Sequence, residues 1–435
     1  MVHNMFINKK DRYHQVLSKK FGIVREIIEY LPEADDPRIY IVAGISCKSD
    51  YLGANECNRS NSAAGFTYEH ACNAAVSECV ERYCSAFYND IIFGSYNALK
   101  QNNNIIEPEK FAFYLEEQYK QKKFPFDRFD RDTYIGWTLG YNFTTNRDVL
   151  VPAASVYLPY KPQENEARIW NCVSTGLSCA TSYEEAVLKG IYEVLERDAF
   201  SMTWLHKISF PRIMFCDDEE IGLLYKKYFE VENCDYYLME LNNGFNIPTV
   251  LGVFDDRKGG ALVAASTRAN KREAVKKTLL ELSQGRIAWK KDFVEGHDIT
   301  IEEGYRNIKE LEQHVMLYSN KEMKKHLKFA YETDEVTDFS DTKTFSNIKE
   351  ELSYVLQQIT KQGYDVIAVD LTTEDVRELD FRVVRVLIPG MTELTVDHEY
   401  PCIGGRRLYE VPYKLGLKKE IAKVEDLNKV PHPFP

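Results

Sequence analysis

TYEHACNAAVSECVER, residues 67–82, returns as SYEEAVLKGIYEVLER, residues 182–197. Six of the sixteen aligned positions are identical, and Thr67 is matched by Ser182. The offset never changes: 182−67, 193−78, 196−81 and 197−82 all give 115. Self-similarity of this kind marks one supersecondary unit used twice. What the unit preserves is chemical. Glu78, Glu81 and Arg82 in the first copy become Glu193, Glu196 and Arg197 in the second.

On a helix, residues three apart share a face. Glu78 and Glu81 therefore project together, as do Glu193 and Glu196. One E-x-x-E-R is ordinarily a solvated, ion-paired helix face. Two copies in register, each behind a run of small and apolar residues, point instead to a shared site. Two acidic pairs turned to one cleft suit Mg2+, which prefers oxygen ligands and binds a few carboxylates together with substrate phosphates. Arg82 and Arg197 add planar, permanently charged donors for phosphate oxygens.

The chain has 435 residues, 44% of them hydrophobic, enough for a large core. A net charge of −12 argues against a general nucleic-acid binder. No apolar run approaches the ~18 residues of a membrane span. The first fifteen residues, MVHNMFINKKDRYHQ, carry no apolar stretch of a secretory signal. Ten cysteines are scattered and none forms C-x-x-C, so a zinc site is not expected. These features together predict a cytoplasmic protein. There is no G-x-x-x-x-G-K-[ST] loop and no kinase loop set, so a nucleotide site here must be of another design.

The pattern predicts an α/β (α+β) fold. Residues 11–31 read as an amphipathic helix and 38–45 as a strand. The first repeat helix is expected from Thr67, its N-cap, to about Phe93. Residues 107–121 read as a helix, followed by a loop to about 147. Strands are expected over 149–158 and 168–172. Ser174-Thr175-Gly176 opens a turn, and Ser182 with Glu185 forms a capping box for a helix reaching about His206. A helix near 217–229 and strands near 234–241, 247–254 and 260–266 come next, with DDRKG (255–259) as a hairpin loop. Arg272–Asp292 reads as a long helix carrying Glu281, Gln284 and Arg286. Helices near 301–315 and 345–362 follow, then strands over 364–371 and 381–388. The ending PHPFP (431–435) cannot be helical and favours an extended arm.

Together these segments resemble the YcaO family. AAVSECVERY (74–83) resembles its first ATP-binding helix and STGLSCATSYEEAVLKGIYEVLERDAF (174–200) its second signature. REAVKKTLLELSQGR (272–286) resembles the third. DVIAVDLTTEDVRELDFRVVRVLIPGM (365–391) and GGRRLYEVP (404–412) match its C-terminal region. The resemblance implies a YcaO-type fold of repeated strand–helix units around a nucleotide site. It implies an N-terminal helical segment over 1–35, a catalytic domain over 36–430 and a proline-rich tail over 431–435 that enters the active site. PHPFP is similar to the ending of the branch that forms azolines in ribosomal peptides, the cyclodehydratases of thiazole/oxazole-modified microcins and streptolysin-like toxins.

The activity implied by the resemblance is ATP-dependent cyclodehydration, with ATP and Mg2+ as cofactors. A Cys, Ser or Thr of a precursor peptide attacks the preceding carbonyl, the amide oxygen is phosphorylated, and phosphate leaves. Glu78, Glu81, Glu193 and Glu196 are then expected to hold Mg2+. Arg82 and Arg197 are expected on phosphates or glutamates, Gln284 and Arg286 on nucleotide, and Ser174 beside the ligand. Glu193, Glu196 and the Pro435 carboxylate are the expected catalytic groups. Two departures stand out: Ala64 where many members carry lysine, and Ala74 where many carry serine. Asn73 or Ser77 are the nearby polar residues that could compensate. The implied partners are the precursor peptide, a separate leader-binding protein related to ubiquitin-activating enzymes and a flavin-dependent dehydrogenase, with the chain a homodimer in a larger complex. Backbone thioamide or amidine formation is the alternative within the family. A nucleotide-binding scaffold subunit is the alternative outside enzymology.

Overall fold

The computed structural model describes residues 12–88, 90–111, 113–171, 173–290 and 301–435. Three sheets carry the chain. The first holds β1 (Val24–Tyr30), β2 (Tyr40–Ser46) and β3 (Ser60–Gly65), antiparallel and in that order. The second is built around β4 (Ile92–Gly94), β5 (Ile135–Asn142), β6 (Arg147–Pro152) and β7 (Leu177–Ala180). The third comprises β8 (Arg212–Ile213), β9 (Cys234–Leu241), β10 (Thr249–Asp256), β11 (Ala261–Thr267) and β12 (Val336–Thr337), in the order β11-β10-β9-β8-β12. β13 (Ile367–Asp370) and β14 (Arg382–Leu387) complete the second sheet, whose order is β4-β5-β13-β14-β7 with β6 beside β5. Among these strands only β12 and β8 pair in parallel. This is a mixed α/β fold of the α+β kind, as expected.

The repeat is a strand–helix unit. β3 leads into the first repeat helix, Tyr68–Ser85, and β7 into the second, Tyr183–His206. Each helix starts on a hydroxyl cap. Thr67 accepts from His70 N at 3.2 Å and Ser182 from Glu185 N at 3.3 Å. A third helix, Lys271–Ala288, is capped by Asn270 and packs against β10 and β11. The second repeat helix is central: seventeen of its 24 residues are buried, against eight of 18 in the first.

Several expectations change. Over 12–31 only Arg12–Gln15 is helical, and Val24–Tyr30 is a strand. β1 is an edge strand with only Val24 fully buried, so its sequence lacks the alternation that marks a strand. The first repeat helix stops at Ser85, because Ile92–Gly94 pairs with β5 instead. Residues 107–121 give only a 3₁₀ turn at Pro108–Lys110 and a helix at Glu116–Tyr119. Their aromatic residues Phe111, Phe113 and Tyr114 pack into the core, and that packing overrides helix propensity. The expected loop to 147 contains β5, whose Gly136 and Gly140 disguise it. A Cβ at Gly136 would lie 2.4 Å from the Tyr160 hydroxyl, so the strand needs a glycine there. Residues 168–171 are not in a strand, although Ile169 and Trp170 are buried, and Cys172 lies outside the described residues. The strand over 149–158 ends at Pro152. Gly304, at φ 72°, breaks the helix expected over 301–315, leaving Leu311–Leu317. The end of the third helix expected at Asp292 lies outside the described residues.

Candidate active site

The two repeat helices and the third helix enclose a cavity of about 830 Å³. Its walls include Glu78, Glu81, Arg82, Ser174, Glu193, Glu196, Arg197, Gln284 and Pro435. Nine of the ten residues singled out in the sequence are thus brought together. The tenth, Arg286, is not. It is buried elsewhere, 3.5 Å from Asp256 and 3.7 Å from Asp35. The reason is helical geometry. Residues two apart do not share a helix face, so Gln284 and Arg286 cannot both look inward. The face that does look inward carries Lys277, Glu281, Gln284 and Ala288, spaced by four, three and four. Lys277 was therefore legible from the helical period. Lys189 and Arg268 also line the cavity, and no sequence signal singled them out.

The first acidic pair is tightly held. Arg82 Nη1 lies 2.7 Å from Glu81 Oε1, and Nη2 lies 3.4 Å from Glu78 Oε1. The second pair is held by backbone. Gly176 N–H donates to Glu193 Oε2 at 3.1 Å, and Thr267 N–H donates to Glu196 Oε2 at 3.3 Å. Gly176 has φ +84°, and a Cβ there would lie 2.2 Å from Val386 O. Only glycine makes this turn, which is why the turn after Ser174 could be read from the sequence.

Six carboxylates face five cations here: Glu78, Glu81, Glu185, Glu193, Glu196 and Glu281 against Arg82, Lys189, Arg197, Arg268 and Lys277. Burial raises the Glu78 pKa and pushes Glu81 and Glu196 up to about 8. Glu193 adds repulsion to Glu81, and Glu281 adds it to Glu196. Carboxyls this unfavourable as bare anions are suited to a divalent cation, and their all-oxygen donor set fits Mg2+. No three of the four motif glutamates bring ligand oxygens within 4.8 Å of one another. An ion here would take at most two carboxylates at once and complete its shell with phosphate or water, as Mg2+ does.

The tail is docked. Pro431, His432, Pro433 and Phe434 are buried. Trp204 Nε1–H donates to Val430 O at 2.9 Å and the Tyr318 hydroxyl to Pro431 O at 2.7 Å. Phe434 N–H donates to His432 Nδ1 at 3.2 Å, so Nε2 carries the proton that meets Thr395 O at 2.6 Å. His432 is a neutral imidazole, and burial holds its pKa well below the usual range. Its ring stacks on His314 at 4.0 Å. Phe434 packs on Phe200 at 4.3 Å, and Arg197 lies over the Phe434 ring at 4.4 Å while Nη1 reaches the Pro435 oxygen at 2.7 Å. The first-motif departures resolve spatially. Ala64 is buried away from the cavity, whereas Ser62, Asn73, Ala74 and Ser77 line it, and Gln284 Nε2 donates to Ser62 O at 2.9 Å.

Residues 62–392 match the family described as YcaO cyclodehydratase, ATP- and Mg2+-binding. The chain belongs to the YcaO family. It is 30% identical to an uncharacterised protein of Methanothermobacter thermautotrophicus over 284 residues, 62% of this chain and 69% of that one. Among solved structures, a heterocyclase in complex with substrate and cofactor superposes with a TM-score of 0.79 at 20% identity, covering 98% of this chain. The chain spans 57% of that heterocyclase's length. The YcaO protein of Methanopyrus kandleri bound with AMPPCP and Mg2+ gives 0.63 at 22% identity, covering 87% of this chain and 89% of that one. The YcaO fold is thus established, and ATP and Mg2+ are the family's ligands. Among the described residues no helix is long and apolar enough to cross a membrane.

Proposed function

We propose that this YcaO protein is an ATP-dependent peptide cyclodehydratase, converting Cys, Ser or Thr of a ribosomal precursor peptide into thiazoline or (methyl)oxazoline. One observation carries the reading. The PHPFP segment ends at the carboxylate cavity, where Phe434 and Pro435 line the wall and Arg197 of the second motif holds the Pro435 oxygen at 2.7 Å. An amide oxygen is a poor leaving group until it is phosphorylated. Phosphoryl transfer asks for positioning and charge neutralisation more than for a protein nucleophile.

In this proposal the apolar wall of Leu262, Ala264, Leu282 and Trp289 receives the base. Arg82, Lys189, Arg268 and Lys277 receive phosphate oxygens, with Ser174, Asn73 and Ser77 as hydrogen-bonding neighbours. Glu78, Glu81, Glu193 and Glu196 would hold Mg2+, no more than two carboxylates to one ion, and the bound metal would supply charge neutralisation at the transferred phosphoryl group. Arg197 orients Pro435, whose carboxylate accepts a proton from the attacking side chain. The proposed partners are a separate leader-binding protein related to ubiquitin-activating enzymes and, for oxidation to azoles, a flavin-dependent dehydrogenase.

The test is mass spectrometry of a Cys/Ser/Thr-rich precursor peptide incubated with the protein, its leader-binding partner, Mg2+ and ATP. Loss of about 18 Da per modified residue is expected, one water by phosphorylation-driven dehydration. A gain of about 16 Da on adding sulfide would mean oxygen-to-sulfur exchange by the same activation and would replace azoline with thioamide formation. An unchanged mass with a competent partner would leave a nucleotide-binding scaffold.

A further inference from the structure

A second cavity of about 460 Å³ lies beside the first, and the two share Val173, Thr175 and Arg197 as a common wall. One side of this second cavity is aromatic. Phe113 and Trp170 line it, their rings stacked at 4.4 Å and 10°. Glu393, in the segment that follows β14, also lines it. Among the described residues its carboxyl has no hydrogen bond or ion pair, although its backbone oxygen accepts from Ser201 Oγ at 3.4 Å.

The position of Glu393 is fixed from the second repeat helix. Thr392 N–H donates to Asp198 Oδ1 at 2.9 Å. Arg407 grips the same buried carboxylate through Nε at 2.8 Å and Nη2 at 2.7 Å. Asp198 directly follows Arg197, so the residue that fixes Glu393 adjoins the one that holds the tail. Burial pushes Glu393 up to about 7; Arg385 lowers it and Asp198 raises it. The hydroxyls of Ser155 and Thr392, two more lining residues, are buried without a hydrogen-bond partner. That state is uncommon for buried polar groups.

A volume of this size takes a ligand of a few residues. A cavity lined by a stacked aromatic pair and one carboxyl suits a short peptide segment with a flat amide. Thr175 and Arg197 line both cavities, so an amide bound against them lies next to the nucleotide cavity.

We propose that this second cavity receives the residue being cyclised and the residue before it, with Glu393 accepting one of the two protons that cyclisation releases. The inference rests on the cyclodehydratase reading. In that reaction the side-chain S–H or O–H bond and the amide N–H bond both break. The sulfur or oxygen bonds the carbonyl carbon, and the carbonyl π pair moves onto oxygen. That oxygen takes the γ-phosphoryl group of ATP and ADP leaves. The N–H pair then forms the C=N bond while the carbon–oxygen bond breaks and phosphate departs. Two protons need acceptors, and they pass on to phosphate and solvent. Pro435 serves the nucleotide side of the wall and Glu393 the other.

The experiment uses the full chain together with its leader-binding partner, ATP and Mg2+. Its probe is the synthetic peptide acetyl-Gly-Gly-Cys-Gly-Gly amide, plain and with a photoreactive diazirine residue before the cysteine. Crosslinks should map to 109–111, Phe113, 389–393 or 402–411; labelling only elsewhere overturns the subsite. Glu393→Gln should lower the rate of dehydration at least 50-fold, keep AMPPCP affinity within threefold and lack the acidic limb near pH 7 expected of the wild type. Glu393→Asp should recover part of the rate. A Glu393→Gln protein that dehydrates the probe within threefold of wild type overturns the role of Glu393. Labelling of the expected segments by wild type without dehydration sustains the subsite and removes the cyclodehydratase reading instead.

Discussion

In the first repeat, Arg82 reaches both glutamates of its own motif, at 2.7 Å and 3.4 Å. In the second, Arg197 stands 3.8 Å and 3.9 Å from its glutamates and gives its short bond to Pro435. The same three residues at the same spacing are used in two ways. One arginine offsets a buried acidic pair. The other is released to hold the tail, because Gly176 N–H and Thr267 N–H take over its two carboxylates. A duplicated motif has diverged here through its neighbours and not through its own residues.

The two copies can be told apart most sharply at the carboxylates. If both pairs hold the cation, Glu81→Gln and Glu196→Gln should each lower kcat/KM for azoline formation by about 10³-fold, roughly 4 kcal/mol of transition-state stabilisation. A large loss in only one copy would show that the repeats are unequal in metal binding. Removing Phe434 and Pro435 should separate the copies further. Cyclisation should fall about 100-fold, the scale of a lost proton acceptor, while AMPPCP affinity by calorimetry stays nearly constant. A truncated protein that cyclises at full rate removes the tail from the active site.

The arginines give the next contrast. Arg82→Ala leaves two buried carboxyls without their partner and should cost about 2–3 kcal/mol of stability in denaturant unfolding. Arg197→Ala should cost less stability and lose more cyclisation. Proton linkage supplies a fourth test. Glu81 and Glu196 have folded pKa values of about 8, raised above their ordinary value by burial. Between their unfolded pKa and 8 the folded state binds more protons, so their contribution to stability is full at low pH and is lost as pH rises through that window. Binding of Mg2+ and nucleotide near pH 7 should then release protons, measurable as buffer-dependent binding enthalpy. The smallest effects are at the caps. Thr67→Ala and Ser182→Ala should each cost about 1 kcal/mol. The second should be felt in global unfolding, because its helix is central, and the first mainly in local hydrogen exchange.

The duplicated face was legible because glutamates three apart, a capping hydroxyl and a turn glycine each have one local meaning. Gln284 was legible for the same reason. Arg286 lies outside the cavity because, two residues from Gln284, it departs from the helical period that Lys277 and Glu281 follow. β1 was hidden by its exposed, charged face and β5 by its two glycines. Glu393 could not be found from sequence. Its character comes from enclosure by residues drawn from β14, Asp198 and the 402–411 region, and no local pattern announces that.

The Gly176 turn also ties the two cavities to each other. Its N–H holds the Glu193 carboxylate, for which a divalent cation bound there would compete, and the turn carries Thr175 into the wall between the two cavities. A carboxylate drawn toward a cation would loosen its hold on the turn and so reshape the second cavity. Occupancy of one chamber would then change affinity in the other, and thermodynamic reciprocity would make the factor the same in both directions. The order in which nucleotide and peptide arrive would thus be set by a single glycine amide.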